Sequence, residues 1–281
     1  MLSPDPPAIG GSRLTYLGVA GWPVAHSRSP AMQNAALAAA GLDGWRYVRL
    51  PLPPERFAET VRALPAAGFR GINVTIPHKE AALAVADHAT PTAAAVGAAN
   101  TLTFEPDGAI RADNTDVAGL LEALRVDPAE MTALVLGAGG AARAAVYALC
   151  SAGAAEVLVW NRTKSRAERL VADLGGRVVD APEPASLVVN CTSVGLSEKD
   201  RTFKSLPIQA DTLGVGSHVA DMVYRPGGTP LLAEAKRRGA TVVTGLEILV
   251  AQGAASFERW TGMTASREAM RAAVDDRAHS P

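Results

Sequence analysis

Four polar clusters interrupt a chain that is otherwise rich in alanine: His26-Ser27-Arg28-Ser29-Pro30, Asn73-Val74-Thr75-Ile76-Pro77-His78-Lys79, Asn100-Thr101 and Asp113-Asn114-Thr115-Asp116. Together they offer hydroxyls, amides, one lysine and two aspartates, with no aromatic platform beside them. That inventory suits a small polyhydroxylated ligand. A lysine with a carboxylate partner can also take the proton of an alcohol as hydride leaves its carbon. Each cluster has a plainer structural reading as well. Ser29 ahead of Pro30 has the form of a helix cap with proline at the first helical position. Asn114-Thr115-Asp116 could be a second cap, and Lys79 an exposed helical lysine.

A hydride acceptor is suggested further on. The run Ala133-Leu134-Val135-Leu136 is an apolar strand leading into Gly137-Ala138-Gly139-Gly140-Ala141-Ala142-Arg143. Gly137, Gly139 and Ala142 match the dinucleotide fingerprint, in which the first glycine permits a tight turn, the second lets backbone approach a pyrophosphate, and the third small residue seats a helix close to the sheet. The free N–H groups at the helix start then face the phosphates. About 20 residues on, where an NAD site usually carries a carboxylate for the ribose, the chain instead reads Asn161-Arg162-Thr163-Lys164-Ser165-Arg166. Cations and hydroxyls at that point suit the 2′-phosphate of NADP, which arginine binds through its planar fork of donors.

Elements that could hold these groups recur along the chain. Apolar runs at Leu14 to Gly18, Arg46 to Leu50, Gly71 to Thr75, Ala133 to Gly137, Glu156 to Trp160, Leu187 to Asn190, His218 to Val223 and Thr241 to Val243 read as buried strands. Helical spacing occupies Pro30 to Ala40, Glu55 to Ala66, Lys79 to Asp87, Ala141 to Ala152 and Ser165 to Leu174. This alternation predicts the α/β class with parallel sheets and helical crossovers. The polar clusters fall at strand ends, where open α/β sheets form their ligand crevices. A division is expected within Asn114 to Asp127. The last helical segments, Gly245 to Thr261 and Ser266 to Asp275, could pack on either unit.

Composition removes other classes. With 281 residues, 48% hydrophobic and 20% charged, the chain can bury two ordinary cores. Its 27 basic and 28 acidic side chains, a net charge of −1, argue against broad nucleic-acid binding. Cys150 and Cys191 form no disulfide framework and read as buried small residues, and the five histidines lack metal-ligand spacing, so no metal is expected. No apolar run is long enough to span a membrane, and the proline-rich start is no signal peptide, which predicts a cytoplasmic protein with a loose tail before Leu14.

The chain resembles the shikimate dehydrogenase family from about Tyr16 to Met270. The resemblance rests on Pro23 to Pro30, Asn73 to Glu80, Gly97 to Thr101, Asp113 to Asp116, Gly137 to Arg143, Asn161 to Thr163, Asn190 to Gly195, Asp221 to Tyr224 and Gly245 to Gln252, in that order. It implies two domains: an N-terminal α/β substrate domain, residues 1–115 completed by 246–281, and a Rossmann-type NADP-binding domain with a parallel sheet, residues 116–245. It also implies reversible NADPH-dependent reduction of 3-dehydroshikimate to shikimate, a step toward chorismate in aromatic amino-acid biosynthesis. Lys79 and Asp116 would be the catalytic pair. Ser27, Ser29 and Tyr224 would hold the substrate carboxylate, and Thr75, Asn100, Asp116 and Gln252 the ring hydroxyls. Gly137, Ala138, Gly139, Gly140, Ala141 and Ala142 would meet the pyrophosphate. Asn161, Arg162, Thr163 and Arg166 would meet the adenosine side, with Thr192, Met222 and Gly245 along the nicotinamide half. The C-terminal helices would return to the substrate domain, bringing Gln252 to the cleft. Partners would be the small-molecule substrate alone, with neither nucleic acid nor membrane, in a monomer or homodimer.

Departures from the family pattern are few. Val117 stands where glycine is usual, Ser197 to Asp211 matches poorly and reads as a variable loop, and Pro226-Gly227-Gly228 reads as a mobile turn. Linkers near Asp116 and Gly245 could act as hinges. Two rival readings keep the same motifs: an NAD-linked quinate or shikimate dehydrogenase, and a non-catalytic NADP-binding regulator.

Overall fold

The computed structural model describes residues 14–196, 202–225 and 227–275. The expected N-terminal tail, His279, Pro226 and part of the expected variable loop lie outside those residues. The first half runs β1 (Thr15–Gly21), α1 (Ser29–Ala39), β2 (Trp45–Pro51), α2 (Phe57–Ala63), β3 (Phe69–Val74), α3 (Lys79–Val85), β4 (His88–Ala89), α4 (Pro91–Val96), β5 (Thr101–Phe104) and β6 (Ile110–Asp113). Helix α5 (Thr115–Leu124) leads into β7 (Thr132–Leu136), α6 (Gly140–Ser151), β8 (Glu156–Trp160), α7 (Lys164–Leu174), β9 (Arg177–Val178), β10 (Leu187–Asn190), β11 (His218–Asp221), α8 (Pro230–Arg237) and β12 (Thr241–Val243). Helices α9 (Gly245–Thr261) and α10 (Arg267–Val274) follow.

The second sheet has the order β12-β11-β10-β7-β8-β9 and is parallel throughout. This is the doubly wound order, whose direction reverses between β7 and β10 and opens a crevice beyond their C-terminal ends. Side chains alternate across it with the period of a strand. Ala133 and Val135 face the layer holding Leu120, Val146 and Leu149, while Leu134 and Leu136 face Leu231, Leu232 and Ile208.

The first sheet, β2-β1-β3-β5-β6-β4, departs from the expectation of parallel strands. β5 runs antiparallel to both β3 and β6. The cause is the short connection after β5: Glu105-Pro106-Asp107-Gly108 turns the chain with Gly108 at φ 90° and an Asp107 carboxylate accepting from Ala109 N–H. A link that short cannot hold a crossover helix, so the strands pair as a hairpin. The helical reading of Glu55 to Ala66 also changes, because Pro65 ends α2 and starts a 3₁₀ turn.

The C-terminal helices pack on the first sheet, as the resemblance implies. Val250, Phe257, Trp260 and Met270 share a core with Leu17, Val19 and Met32 of β1 and α1. Two glycines make this possible. A Cβ at Gly71 would lie 2.2 Å from Trp260 Nε1, and one at Gly119 would lie 2.7 Å from the Gln252 backbone N. Without side chains there, α9 settles against β3 and α5, which brings Gln252 back to the end of the first sheet. Val117, the departure from the family's glycine, is buried in the core beside Leu120 and Ile248.

Candidate active site in the cleft between the sheets

The ends of β1, β3 and β5 on one side and of β7, β8, β10 and β11 on the other face a cleft of about 1210 Å³. Ser27, Ser29, Thr75, Lys79, Asn100, Asp116, Tyr224 and Gln252 all line it.

The floor is a buried polar network. Lys79 is the first residue of α3, and its Nζ donates to Asp116 Oδ2 at 2.5 Å, with the lysine side chain 13% exposed and the aspartate 7%. The reading of Lys79 as a solvent-facing helical lysine is therefore excluded. Its backbone is fixed on both sides: Lys79 C=O accepts from Ala99 N–H, and the preceding His78 stacks on Phe57 and is 2.7 Å through Nε2 from Leu52 O. Burial lowers the pKa of His78, which keeps the ring neutral and able to donate to that carbonyl.

Asp116 is the second residue of α5, whose start is capped by Asn114 Oδ1 accepting from Asp116 N–H. Asn100 then fixes the carboxylate. Its Oδ1 accepts from the Thr115 N–H at 2.7 Å, so the amide group must point Nδ2 the other way, to Asp116 Oδ1 at 2.9 Å and Gln252 Oε1 at 3.2 Å. A buried charge is tolerated only when so satisfied.

Beneath this layer lies a second set of groups that sequence reading did not single out as site residues. Ser256 Oγ accepts from Asn73 Nδ2 at 2.8 Å, lies 3.0 Å from Thr101 Oγ1 and 3.1 Å from Thr115 Oγ1, and donates to Gln252 C=O. Tyr47 donates to Asn73 Oδ1 at 2.8 Å, and burial pushes its phenol well above the ordinary range. The signal for Ser256 was available: it follows Gln252 by four residues, hence lies on the same helix face.

Ser29 does not cap α1. Arg28 occupies the cap position with no side-chain cap bond, so the Ser29 hydroxyl is left to the cleft wall rather than spent on the helix end. Ser27 Oγ accepts from Ser29 N–H, Arg49 donates twice to Ser27 C=O, and Tyr224 OH accepts from Arg28 N–H at 3.3 Å. The last bond crosses the cleft. The hydroxyls of Ser27, Ser29 and Tyr224 all line the cleft, a set of donors that suits a carboxylate.

The opposite wall begins at the glycine turn. Gly137 has φ 111° and a Cβ there would meet Cys191 O at 3.0 Å, so only glycine fits. A Cβ at Gly139 would have no neighbour within 4 Å, which leaves that backbone open to the cleft. Helix α6 starts at Gly140 with no side-chain cap and no acidic residue in its first turn, whereas Thr229 and Ser266 cap α8 and α10. Unspent N–H donors above an open glycine fit a dinucleotide pyrophosphate. Ala138 and Ala141 also line the cleft, but Ala142 is fully buried beneath it and acts by seating the helix. Gly245 is required by close approach, since a Cβ would lie 2.5 Å from Val223 O.

Thr192 and Met222 line the inner half of this wall. They are held from behind by Asp221, fully buried, which accepts from Thr229 Oγ1, Val223 N–H and Asn190 Nδ2 at 2.7, 3.0 and 2.9 Å. Burial raises the Asp221 carboxyl to about 6 despite these bonds. Cys150 and Cys191 are half-buried rather than buried. Cys191 reaches the cleft, its thiol pushed up by burial.

At the outer end the basic corner is composed differently from the sequence expectation. Arg162 and Arg166 line the cleft with Asn161, but Lys164 turns away to pair with Asp180 at 2.6 Å. Arg169 takes its place, three residues beyond Arg166 on the same face of α7. Thr163 is exposed at the helix start and does not line the cleft. Among the described residues no helix is long and apolar enough to cross a membrane, and no cluster could hold a metal ion.

Three stretches of the chain match known families. Residues 19–102 match the family described as shikimate dehydrogenase substrate binding domain, 121–191 match shikimate / quinate 5-dehydrogenase, and 245–274 match the shikimate 5'-dehydrogenase C-terminal domain. The NADP(+) shikimate dehydrogenase of Paracoccus denitrificans is 47% identical over 258 residues, covering 87% of this chain and 90% of that one. Among solved structures, shikimate dehydrogenase from Aquifex aeolicus superposes with a TM-score of 0.87 at 37% identity, covering 95% of this chain and 99% of that one. The Thermus thermophilus enzyme in complex with NADP(H) and shikimate gives 0.83 at 42% identity, covering 92% and 98%.

Proposed function

The chain belongs to the shikimate dehydrogenase family, and we infer from that membership and from the cleft that it catalyses the reversible NADP-dependent interconversion of shikimate and 3-dehydroshikimate, a step of aromatic amino-acid biosynthesis. The observation that carries this reading is the buried Lys79–Asp116 pair at the meeting of a hydroxyl-lined pocket and an uncapped glycine turn. We assign residues 1–115 with 246–281 to the substrate side and 116–245 to the cofactor side, with Asp116 at the junction completing the substrate wall through Lys79 and Asn100.

Residues Gly137 to Ala141 would hold the pyrophosphate, Asn161, Arg162, Arg166 and Arg169 the phosphorylated ribose, and Thr192, Met222 and Gly245 the nicotinamide half. When bound, NADPH supplies the hydride. Everything else falls to the protein. Ser27, Ser29 and Tyr224 hold the substrate carboxylate and so set the ring's orientation. Thr75, Asn100 and Gln252 receive its hydroxyls. Lys79 Nζ faces the carbonyl oxygen, stabilises the charge that develops there and delivers the proton as the hydroxyl forms. Asp116 holds the ammonium in line, and the two act as one proton-handling unit. Asn100, its amide orientation set by Thr115 N–H, donates to Asp116 and keeps that carboxylate an acceptor toward Lys79.

The test is turnover at the reduced-nicotinamide absorbance band with shikimate or quinate, each with NADP+ or NAD+. Turnover confined to shikimate with NADP+ is expected. Quinate oxidised with NAD+ would move the protein to the NAD-linked branch of the family, and tight NADPH binding without turnover would make it a regulator.

A further inference from the structure

The glycine turn holds one residue whose bare Cα the cofactor does not explain, because the backbone N–H it would offer a pyrophosphate survives the addition of a methyl. Of its glycines, Gly137 is demanded by a positive φ and Gly139 leaves open space. Gly140 is different. Its φ lies outside the left-handed region, yet a Cβ there would meet Lys79 Cβ at 3.0 Å, Lys79 Cδ at 3.0 Å and Lys79 Cγ at 3.4 Å. Its three nearest contacts all belong to one side chain, on the opposite wall of the cleft.

Helix α6 is also prevented from retreating. One turn beyond Gly140, Arg143 Nε donates to Val96 C=O at 2.5 Å at the end of α4, and its Nη1 pairs with Asp173 at 2.8 Å. Gly97, with φ 70°, makes room for that guanidinium, since a Cβ would fall 2.6 Å from Arg143 Nη2. The first turn of α6 is thus tied to the substrate side by an arginine while its leading residue rests on the lysine stem.

We propose that Gly140 is a positioning residue for Lys79: its bare Cα is the seat against which the lysine stem lies as it reaches Asp116, so that the cofactor wall sets the aim of the proton-handling group. This rests on the reading of Lys79 given above. A methyl at 140 needs a few tenths of an ångström, and α6 is held in place by Arg143. The lysine must move instead, away from the geometry that gives the 2.5 Å contact with Asp116.

The test compares Gly140→Ala, Gly139→Ala, Lys79→Ala and Lys79→Gly in the full chain, measuring kcat and KM with shikimate, the NADP+ dissociation constant by calorimetry and the thermal midpoint. Gly140→Ala should lower kcat about tenfold or more, as expected for sub-ångström to ångström misplacement of a reacting group, with NADP+ affinity changed less than about threefold. Gly139→Ala should do the reverse, because its methyl occupies the space open to the pyrophosphate. The double variant Gly140→Ala/Lys79→Gly, which lacks the Cβ, Cγ and Cδ that the methyl would meet, should recover the midpoint of Lys79→Gly even where Gly140→Ala alone folds poorly. If Gly140→Ala keeps wild-type kcat while Lys79→Ala is inactive, the seat does not exist. The same holds if Gly140→Ala loses NADP+ affinity as Gly139→Ala does, or if the double variant stays as unstable as Gly140→Ala. An active Lys79→Ala would overturn the reading of the site itself.

Discussion

The two walls of the cleft are built on opposite plans. On the substrate side, Asn100, Asp116, Thr115 and Ser256 are at most 5% exposed, and each is hydrogen-bonded to another member of the set. At the outer end of the cofactor side, Arg162 and Arg166 are exposed, and neither forms an ion pair within the described residues. The first wall is pre-organised: its dipoles are fixed before ligand arrives, so little reorganisation remains for the chemical step. The second keeps charge in water until a phosphate displaces it, which suits recognition of a ligand that must also leave. On the proposed assignment of residues, chemistry is placed where the groups are buried and hydrogen-bonded, and cofactor choice where they are solvated.

That contrast can be broken by substitution, beginning with the strongest effect. Lys79→Ala should lower kcat by about 10²–10⁴-fold, the usual worth of a positioned general acid–base group, with only a modest change in shikimate KM; a near-normal kcat would remove its role. Arg162→Ala should weaken NADP+ by roughly 10- to 150-fold, the loss of one charged hydrogen bond of about 1.5–3 kcal/mol, while NAD+ use barely changes. Equal weakening of both cofactors would make Arg162 structural. Ser256→Ala should cost stability of about 1–3 kcal/mol, read as a lowered denaturation midpoint, because Asn73, Thr101 and Thr115 lose a shared buried partner. An unchanged midpoint would show that the network is not needed to hold α9.

A subtler effect concerns the buried carboxyl behind the nicotinamide wall. Asp221 is raised from 3.8 to about 6 in the folded protein, so the folded state holds its proton more tightly than the unfolded chain. Stability from this group is therefore greatest below pH 4 and falls as pH rises through 4 to 6. Asp221→Asn should remove that slope, so the variant gains on wild type across this window when unfolding is followed at several pH values. Parallel curves would show that the burial effect is absent. Smallest of all, Lys164→Ala should leave NADP+ affinity nearly unchanged, since its ammonium serves Asp180 and not the cleft; a clear loss would return Lys164 to the cofactor corner.

The sequence carried the parallel sheet well because its strands are continuous apolar runs and its turn holds a glycine pattern with one structural solution. The first sheet was harder. Its β5–β6 hairpin is two four-residue strands around Glu105-Pro106-Asp107-Gly108, too short for periodicity to register although the turn chemistry was present. Lys79, Asp116, Asn100 and Gln252 could be named from motifs, but no spacing rule could show that residues 16 and 152 positions away from Asn100 bond to its amide. Ser29 allows a cap reading beside its ligand reading, because Ser-Pro is locally a cap signal, but the helix begins at Ser29 itself with Arg28 in the cap position. In the basic corner the local count of cations includes Lys164, which pairs with Asp180 sixteen positions on, whereas Arg169, outside the motif, lines the cleft.

The division of labour between the walls is tested most directly by the double variant Lys79→Ala/Arg162→Ala, with kcat/KM for NADP+ measured at saturating shikimate in wild type, both single variants and the double. Groups on separate walls with no shared partner should act independently, so the losses should multiply and the interaction energy fall within about 0.5 kcal/mol of zero. A double variant no worse than Lys79→Ala alone would contradict the account, because the basic corner would then act only through Lys79.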